Sequence, residues 1–193
     1  MNWIVPAIVV SVLPFLYLFT QIRILGSFVY AFGNIAGFIG ATFLFWEFML
    51  GIKDLAKKIA PNPGTFIKLH IFLGVWGMFF VLIHPILEIK VYGISSLFGS
   101  NFLYGEIAFL FALLIWITSA FIRNKFSYKK WLIVHYLSYP LMFLVFIHAL
   151  EIGSFLRTFI LIRAYWFALL GTYGVLVLLR IGYALKKLAQ SPK

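Results

Sequence analysis

The chain has 193 residues, of which 64% are hydrophobic and only 11% are charged, and its mean hydropathy is +1.04. Roughly a quarter of the residues of a soluble domain are charged, so this composition excludes a soluble domain and indicates an integral membrane protein. The net charge of +11 does not indicate a nucleic-acid partner, because the charges lie in short segments between apolar runs. The chain contains no cysteine, which excludes thiolate metal sites, iron–sulfur clusters and c-type haem attachment.

Six apolar runs follow one another, each close to the ~20 residues that cross ~30 Å of hydrocarbon as a helix. The N-terminal run lacks a basic leader and a clear cleavage site, so we predict a first span there and not a removed signal peptide. The predicted spans are 3–20, 28–50, 66–87, 102–122, 131–150 and 159–183, in one transmembrane domain covering residues 1–193. Because only residues 184–193 follow the last predicted span, we expect any nucleotide-binding module to belong to a separate chain.

The basic residues divide unequally between the two sides that six spans would define. The side shared by both termini would hold Lys53, Lys57, Lys58, Lys68, Arg123, Lys125, Lys129, Lys130, Arg180, Lys186, Lys187 and Lys193. The other side would hold Arg23, Lys90, Arg157 and Arg163. Because cytoplasmic loops are enriched in Lys and Arg, this distribution predicts that both termini are cytoplasmic.

All four histidines fall in the third and fifth predicted spans, His70 and His84 in one and His135 and His148 in the other. Both spans would run outward from the cytoplasm, so His70 and His135 would lie towards the inside and the other two towards the outside. The separations of 14 and 13 residues correspond to about 21 Å and about 19.5 Å of helix. Matching depths would let each level supply two axial imidazole ligands to a porphyrin between the helices.

Rotation about the helix axis supports this arrangement better for the third span than for the fifth. Fourteen residues fall roughly 40° short of four full turns, so His70 and His84 share a face. Thirteen residues fall about 140° short, so His135 and His148 do not share a face on a regular helix. Pro140 lies between them and cannot bond to the carbonyl of Tyr136, so we predict a kink or local rewinding that changes this offset, with a lateral displacement of the two levels as the alternative.

Gly74 and Gly77 lie between the two histidines of the third span. Their missing side chains would let a porphyrin face approach, or would permit the close helix packing that Gly33 and Gly37 indicate on the second span. The sequence does not decide between these two interpretations.

The third span, KLHIFLG…LIHP, and the fifth, KKWLIVHYLSYPLMFLVFIHAL, resemble those of the ferric reductase-like transmembrane domain family. That family includes ferric reductases, NADPH oxidases and the haem-binding membrane subunit of the methionine sulfoxide reductase system. The resemblance implies an all-α integral membrane protein, a six-helix bundle with two stacked b haems between helices three and five. His70 and His135 would ligate the inner haem iron, and His84 and His148 the outer one.

The same resemblance implies a function in transmembrane electron transfer. Electrons would enter from a cytoplasmic flavoprotein reductase that carries FAD or FMN, or from quinol, and would leave to a ferric chelate, oxygen or a partner reductase outside. Ferric reductases and NADPH oxidases usually continue into a flavin and nicotinamide domain, and this sequence has no glycine-rich dinucleotide fingerprint. We therefore expect a stand-alone oxidoreductase component that needs a separate reductase, with membrane lipid as its surroundings.

Charged residues near each end of the histidine spans have two interpretations. Lys68, Arg123, Lys129 and Lys130 are candidates to bind inner propionates or an acidic donor protein, or they simply follow the bias of cytoplasmic loops. Glu88 and Glu151, each about one turn after a histidine, would lie near the outer haem with Arg23, Arg157 and Arg163. These carboxylates would attract a metal cation and the arginines would hold propionates or superoxide, or all of them are solvated at the interface.

Two other classes of protein remain open from the residues alone. Histidines in a membrane can relay protons or bind zinc, so a haem-free proton or metal transporter is the main alternative. The five acidic residues lie near span ends or in loops, which disfavours coupled transport. A purely structural membrane subunit would not need histidines at paired depths.

Overall fold

The structure is a computed structural model that describes residues 11–21, 27–52, 62–95 and 99–190. The regular elements of this part of the chain are all helical, as predicted. The helices are α1 Ser11–Gln21, α2 Phe28–Gly51, α3 Pro63–Tyr92, α4 Leu103–Ile117, α5 Tyr128–His135, α6 Ser138–Ile152, α7 Ser154–Thr158 and α8 Ile160–Ala189.

Five helical stretches are long and apolar enough to cross a membrane, which makes the chain a multi-pass membrane protein. They are Phe28–Gly51, Pro63–Tyr92, Leu103–Lys125, Tyr128–Ile152 and Ile160–Tyr183, in agreement with the second to sixth predicted spans. The first predicted span, 3–20, lies largely outside the described residues, and its described part belongs to the shorter apolar helix Ser11–Gln21. The count of six spans therefore stays a prediction.

Residues Met1–Gly153 and Ser154–Lys193 form two compact units. All four histidines belong to the first unit, so the site is described within it. The second unit contains α7 and α8, of which α8 includes the last candidate span, Ile160–Tyr183.

Helices α2 and α3 pack against each other in antiparallel orientation along a line of glycines. A Cβ added at Gly33 would lie 3.1 Å from the Cβ of Leu87, and one at Gly40 would lie 3.0 Å from Val81. Gly77 of α3 in turn faces Phe43 and Leu44, because a Cβ there would lie 3.3 and 3.4 Å from them. Small residues let two membrane helices approach closely, and here they bring the backbone of α2 next to the histidine helix.

On another side of α3, a second core forms with α4 and α6. Met78, Ala108, Ala112 and Leu141 are each at most 4% exposed and form one apolar cluster. This cluster fixes α3 relative to α6, and these are the helices that carry His84 and His148.

The N-terminus of α3 is capped by the residues that precede it. The Asn62 side chain accepts a hydrogen bond from the backbone N–H of Gly64 at 2.9 Å, and Pro63 occupies the first turn, where its missing N–H costs nothing. At the other end Gly93 adopts φ 80°, a left-handed conformation that favours glycine. Between these ends α3 runs without interruption through Pro85.

The fifth predicted span is divided between α5 and α6, with Tyr136 and Leu137 forming a turn. The Tyr139 N–H donates to the carbonyl of Tyr136 at 3.1 Å, and the Leu137 N–H donates to the carbonyl of Val134 at 3.0 Å. Hydrogen bonds between residues three apart, as in a 3₁₀-helix, wind the chain more tightly than an α-helix does. The predicted local rewinding near Pro140 is therefore confirmed.

Candidate functional site

The structure brings the four histidines together as two facing pairs, in the combination predicted from their depths. The ring centres of His70 and His135 are 6.2 Å apart, with an angle of 49° between the ring planes. The ring centres of His84 and His148 are 6.3 Å apart, with an angle of 77°. In each pair one ring comes from α3 and the other from the α5–α6 segment.

These separations can be compared with what a shared metal requires. A metal ion about 2 Å from one nitrogen of each ring, with each ring centre roughly 1 Å behind its nitrogen, separates two opposed ring centres by roughly 6 Å. Both pairs match this value. The two imidazoles of each pair would therefore fit on either side of a haem iron, His70 with His135 and His84 with His148.

Helix α2 supplies the polar partners of both histidines on α3. The carbonyl oxygen of Gly33 is 2.9 Å from Nδ1 of His84, and Oε2 of Glu47 is 2.5 Å from Nδ1 of His70. A carbonyl oxygen only accepts, so Nδ1 of His84 carries the proton and its Nε2 keeps its lone pair. At His70 the Glu47 carboxylate lies against Nδ1 as an ion-pair partner. Metal-ligating histidines characteristically donate their second N–H in this way.

The other two histidines differ in how they are held. His135 Nδ1 lies 3.5 Å from Oγ of Ser119, which accepts a hydrogen bond from Trp131 Nε1 at 3.3 Å. The Trp131 ring lies against His135 with ring centres 4.4 Å apart, and the Arg123 guanidinium lies 4.8 Å from the Trp131 ring centre. Ser119 belongs to the short π-helical segment Thr118–Ile122 after α4, a feature frequently found at functional sites.

His148 packs directly on Gly105 of α4. A Cβ added at Gly105 would overlap the imidazole ring, so no other residue fits there without a shift. Nδ1 of His148 is buried and has no hydrogen-bond partner in the part of the chain that the structure describes. Packing against Gly105 therefore helps to orient this ring.

The predicted glycines of α3 lie against α2. A Cβ at Gly74 would collide with Oε1 of Glu47, and Gly77 faces Phe43 and Leu44. Of the two interpretations that the sequence left open, close helix packing is the one that describes these surroundings.

The residues predicted near the outer haem have different positions. Glu88 lies beside His84, with Oε1 3.8 Å from its Nδ1, and accepts a hydrogen bond from Asn34 at 3.2 Å. Glu151 is exposed at the end of α6. Arg23 lies outside the described residues, and Arg157 and Arg163 belong to the Ser154–Lys193 unit, so neither the position of Arg23 nor that of the other two relative to the histidines is described.

Sequence reasoning missed the partners Gly33, Glu47, Gly105 and Ser119. One signal for the first two was present, because Gly33 and Glu47 are separated by 14 residues, as are His70 and His84. In an antiparallel helix pair, equal spacings place Gly33 opposite His84 when Glu47 lies opposite His70. Nothing in the sequence marks Gly105 or Ser119 in this way.

Within the described ranges, no three His, Cys, Asp or Glu side chains converge to form a metal site. Each level instead offers two facing imidazoles on helices that could cross a membrane, so the site belongs to a multi-pass membrane protein with paired histidines between two helical segments.

The comparison with protein families agrees with this class. The profile of the ferric reductase-like transmembrane component matches residues 36–146, more than half of the chain. The chain therefore belongs to the ferric reductase-like transmembrane component family. Searches of curated proteins and of solved structures found no match.

Proposed function

We propose that this protein is a dihaem b-type cytochrome that carries electrons across a cytoplasmic membrane. The observation that carries the proposal is the pair of ring separations, 6.2 Å for His70–His135 and 6.3 Å for His84–His148. Membership of the ferric reductase-like family supports an oxidoreductase membrane component.

Haem, when bound, supplies the one-electron chemistry. The chain's own residues supply ligation and orientation. His70 and His84 are each fixed by a partner on α2, His135 by Trp131 and Ser119, and His148 by its contact with Gly105. The histidines lie on apolar helices, and the low dielectric constant of a membrane around them would strengthen the electrostatic interactions of the site.

For the direction of transfer we propose entry at the His70–His135 level and exit at the His84–His148 level. The excess of Lys and Arg on the side of His70 and His135 supports a cytoplasmic position for that level. A cytoplasmic flavoprotein reductase or quinol would be the donor. The acceptor would be a ferric chelate, oxygen or a partner reductase on the other side, with Glu88 beside His84 as an acidic group at this exit.

The first test is the ratio of haem to purified protein, with oxidised and dithionite-reduced spectra of the same sample. We expect two low-spin b haems per chain, and one after either His135→Ala or His148→Ala. Thr172→Ala on α8, whose hydroxyl donates to the carbonyl of Ala168 on its own helix, serves as the control and should retain two. Absence of haem even after haem supplementation would overturn the proposal and favour a histidine-based proton or metal transporter.

A further inference from the structure

The two histidines of α3 differ in the charge of the group that faces Nδ1. His70 faces the carboxylate of Glu47 at 2.5 Å, whereas His84 donates to the neutral carbonyl of Gly33 at 2.9 Å. Oε1 of Glu88 is 3.8 Å from Nδ1 of His84, beyond hydrogen-bond distance, and accepts a hydrogen bond from Asn34. Within the described residues, a carboxylate thus lies 2.5 Å from Nδ1 of His70, whereas the carboxylate beside His84 is 3.8 Å from its Nδ1.

A carboxylate on Nδ1 changes the donor strength of the ring. It draws the Nδ1 proton towards itself and raises the basicity of Nε2, the nitrogen that would face the metal. A full negative charge in contact with Nδ1 acts on the ring more strongly than a neutral carbonyl dipole does, so Glu47 acts more strongly on His70 than Gly33 acts on His84. A more basic axial ligand stabilises the oxidised metal and lowers its reduction potential.

The glycine at position 74 is what allows this contact. Gly74 lies one helical turn after His70, and a Cβ there would occupy the space of Glu47 Oε1. The carboxylate therefore reaches Nδ1 by crossing over a residue that has no side chain. Glu47 and Gly74 form one arrangement, in which one residue supplies the charge and the other supplies its space.

We propose that Glu47 is a positioning residue that sets the His70–His135 site at a lower reduction potential than the His84–His148 site, so that a single electron moves downhill from the first to the second. In this step the first site is oxidised by one electron and the second is reduced by the same electron, with no other reactant. The inference rests on the proposed haem binding.

The test is a spectroelectrochemical titration of the haem-loaded protein in detergent, compared with its Glu47→Gln and Gly74→Ala variants. The parent should show two one-electron steps. Glu47→Gln removes the charge and keeps the shape of the side chain. The reduction potential of the lower step should therefore rise by at least 59 mV, which is a tenfold change in the equilibrium constant of a one-electron reduction. The potential of the upper step should stay unchanged. Gly74→Ala keeps the carboxylate but displaces it, so it should move the same step in the same direction. The double variant should add little to either single one, because both remove one contact.

Glu88→Gln is the matched control, since it removes a carboxylate beside the other pair and should leave the lower step in place. If Glu47→Gln fails to retain its haem, Glu47→Asp replaces it, because the shorter side chain withdraws from Nδ1 and should raise the lower step by part of that shift. Two bound haems with both steps unmoved in Glu47→Gln and Gly74→Ala would overturn this inference and leave the proposed function standing. A parent protein that binds no haem would overturn the proposed function itself.

Discussion

The imidazole of His148 rests on Gly105, across the interface between α6 and α4, with no space between them for even a methyl group. We expect Gly105→Ala to push the ring out of line with His84 and to reduce the haem content from two per chain towards one. Gly171→Ala is the control, because a Cβ at this helical position meets nothing within 4 Å. A Gly105→Ala protein with two haems and an unchanged spectrum would contradict the role given to this contact.

A second glycine controls the opposite ring of the same pair. A Cβ at Gly37 would lie 2.9 Å from Nδ1 of His84, the atom that donates to the carbonyl of Gly33. Gly37→Ala should therefore displace the ring or separate α2 from α3, at a cost of about 1–3 kcal/mol typical of overpacking. Thermal unfolding and the reduced spectrum would both report it. Gly51→Ala on the same helix, where a Cβ meets nothing within 4 Å, should change neither.

Trp131 should determine how firmly the His70–His135 pair retains its cofactor. Its ring centre lies 4.4 Å from that of His135, and aromatic pairs of this kind contribute about 0.5–1.5 kcal/mol beyond area burial. We expect Trp131→Ala to release haem from this pair roughly two- to tenfold faster to an apo-globin acceptor, in line with that energy. Trp131→Phe preserves an aromatic ring and should lose much less. Equal release rates for all three proteins would show that the stacking has no such role.

The basic residues near the entry level provide an electrostatic test. Lys68, Lys129 and Lys130 are exposed, while the Arg123 guanidinium lies against Trp131. If they attract an acidic donor protein, haem reduction should slow several-fold as the ionic strength rises from 0.1 M, where the Debye length is about 10 Å, to 1 M, where it is about 3 Å. Reduction by dithionite provides the control. If the rate of haem reduction by the donor protein does not depend on salt, these residues only help to orient the chain in the membrane.

At the exit level Glu88 and Glu151 can be separated by experiment. Glu88 lies beside His84, whereas Glu151 is exposed at the end of α6. If carboxylates attract a ferric chelate there, Glu88→Gln should slow its reduction several-fold with haem content unchanged. Glu151→Gln measures the contribution of the more exposed carboxylate. Unchanged chelate kinetics in both variants and in the double variant would remove both residues from the site.

The helix positions and the histidine pairing could be predicted from the sequence because each depends on spacing along one chain. Apolar length gives the spans, and the separations of 14 and 13 residues give the matching depths. The offset of 13 residues also pointed to the irregularity near Pro140, where the backbone is rewound.

The contacts between helices could not be predicted, because they depend on how each helix is rotated about its axis. Helices that are apolar on all sides carry little periodic signal for that rotation. Glu47 was recognised only as an acid near a span end, although it reaches across the helix interface to His70. Gly74 was weighed as a possible approach for a porphyrin, whereas its open space is taken by that carboxylate.

The continuity of α3 has a mechanical consequence. His70 and His84 belong to one uninterrupted helix, so the length of that helix between them fixes their separation at about 21 Å. On the opposite side, His135 and His148 belong to two shorter helices, α5 and α6, which are joined by a turn. Two groups bound at the two levels would therefore have a spacing that is fixed by α3 and not by the interrupted segment opposite it.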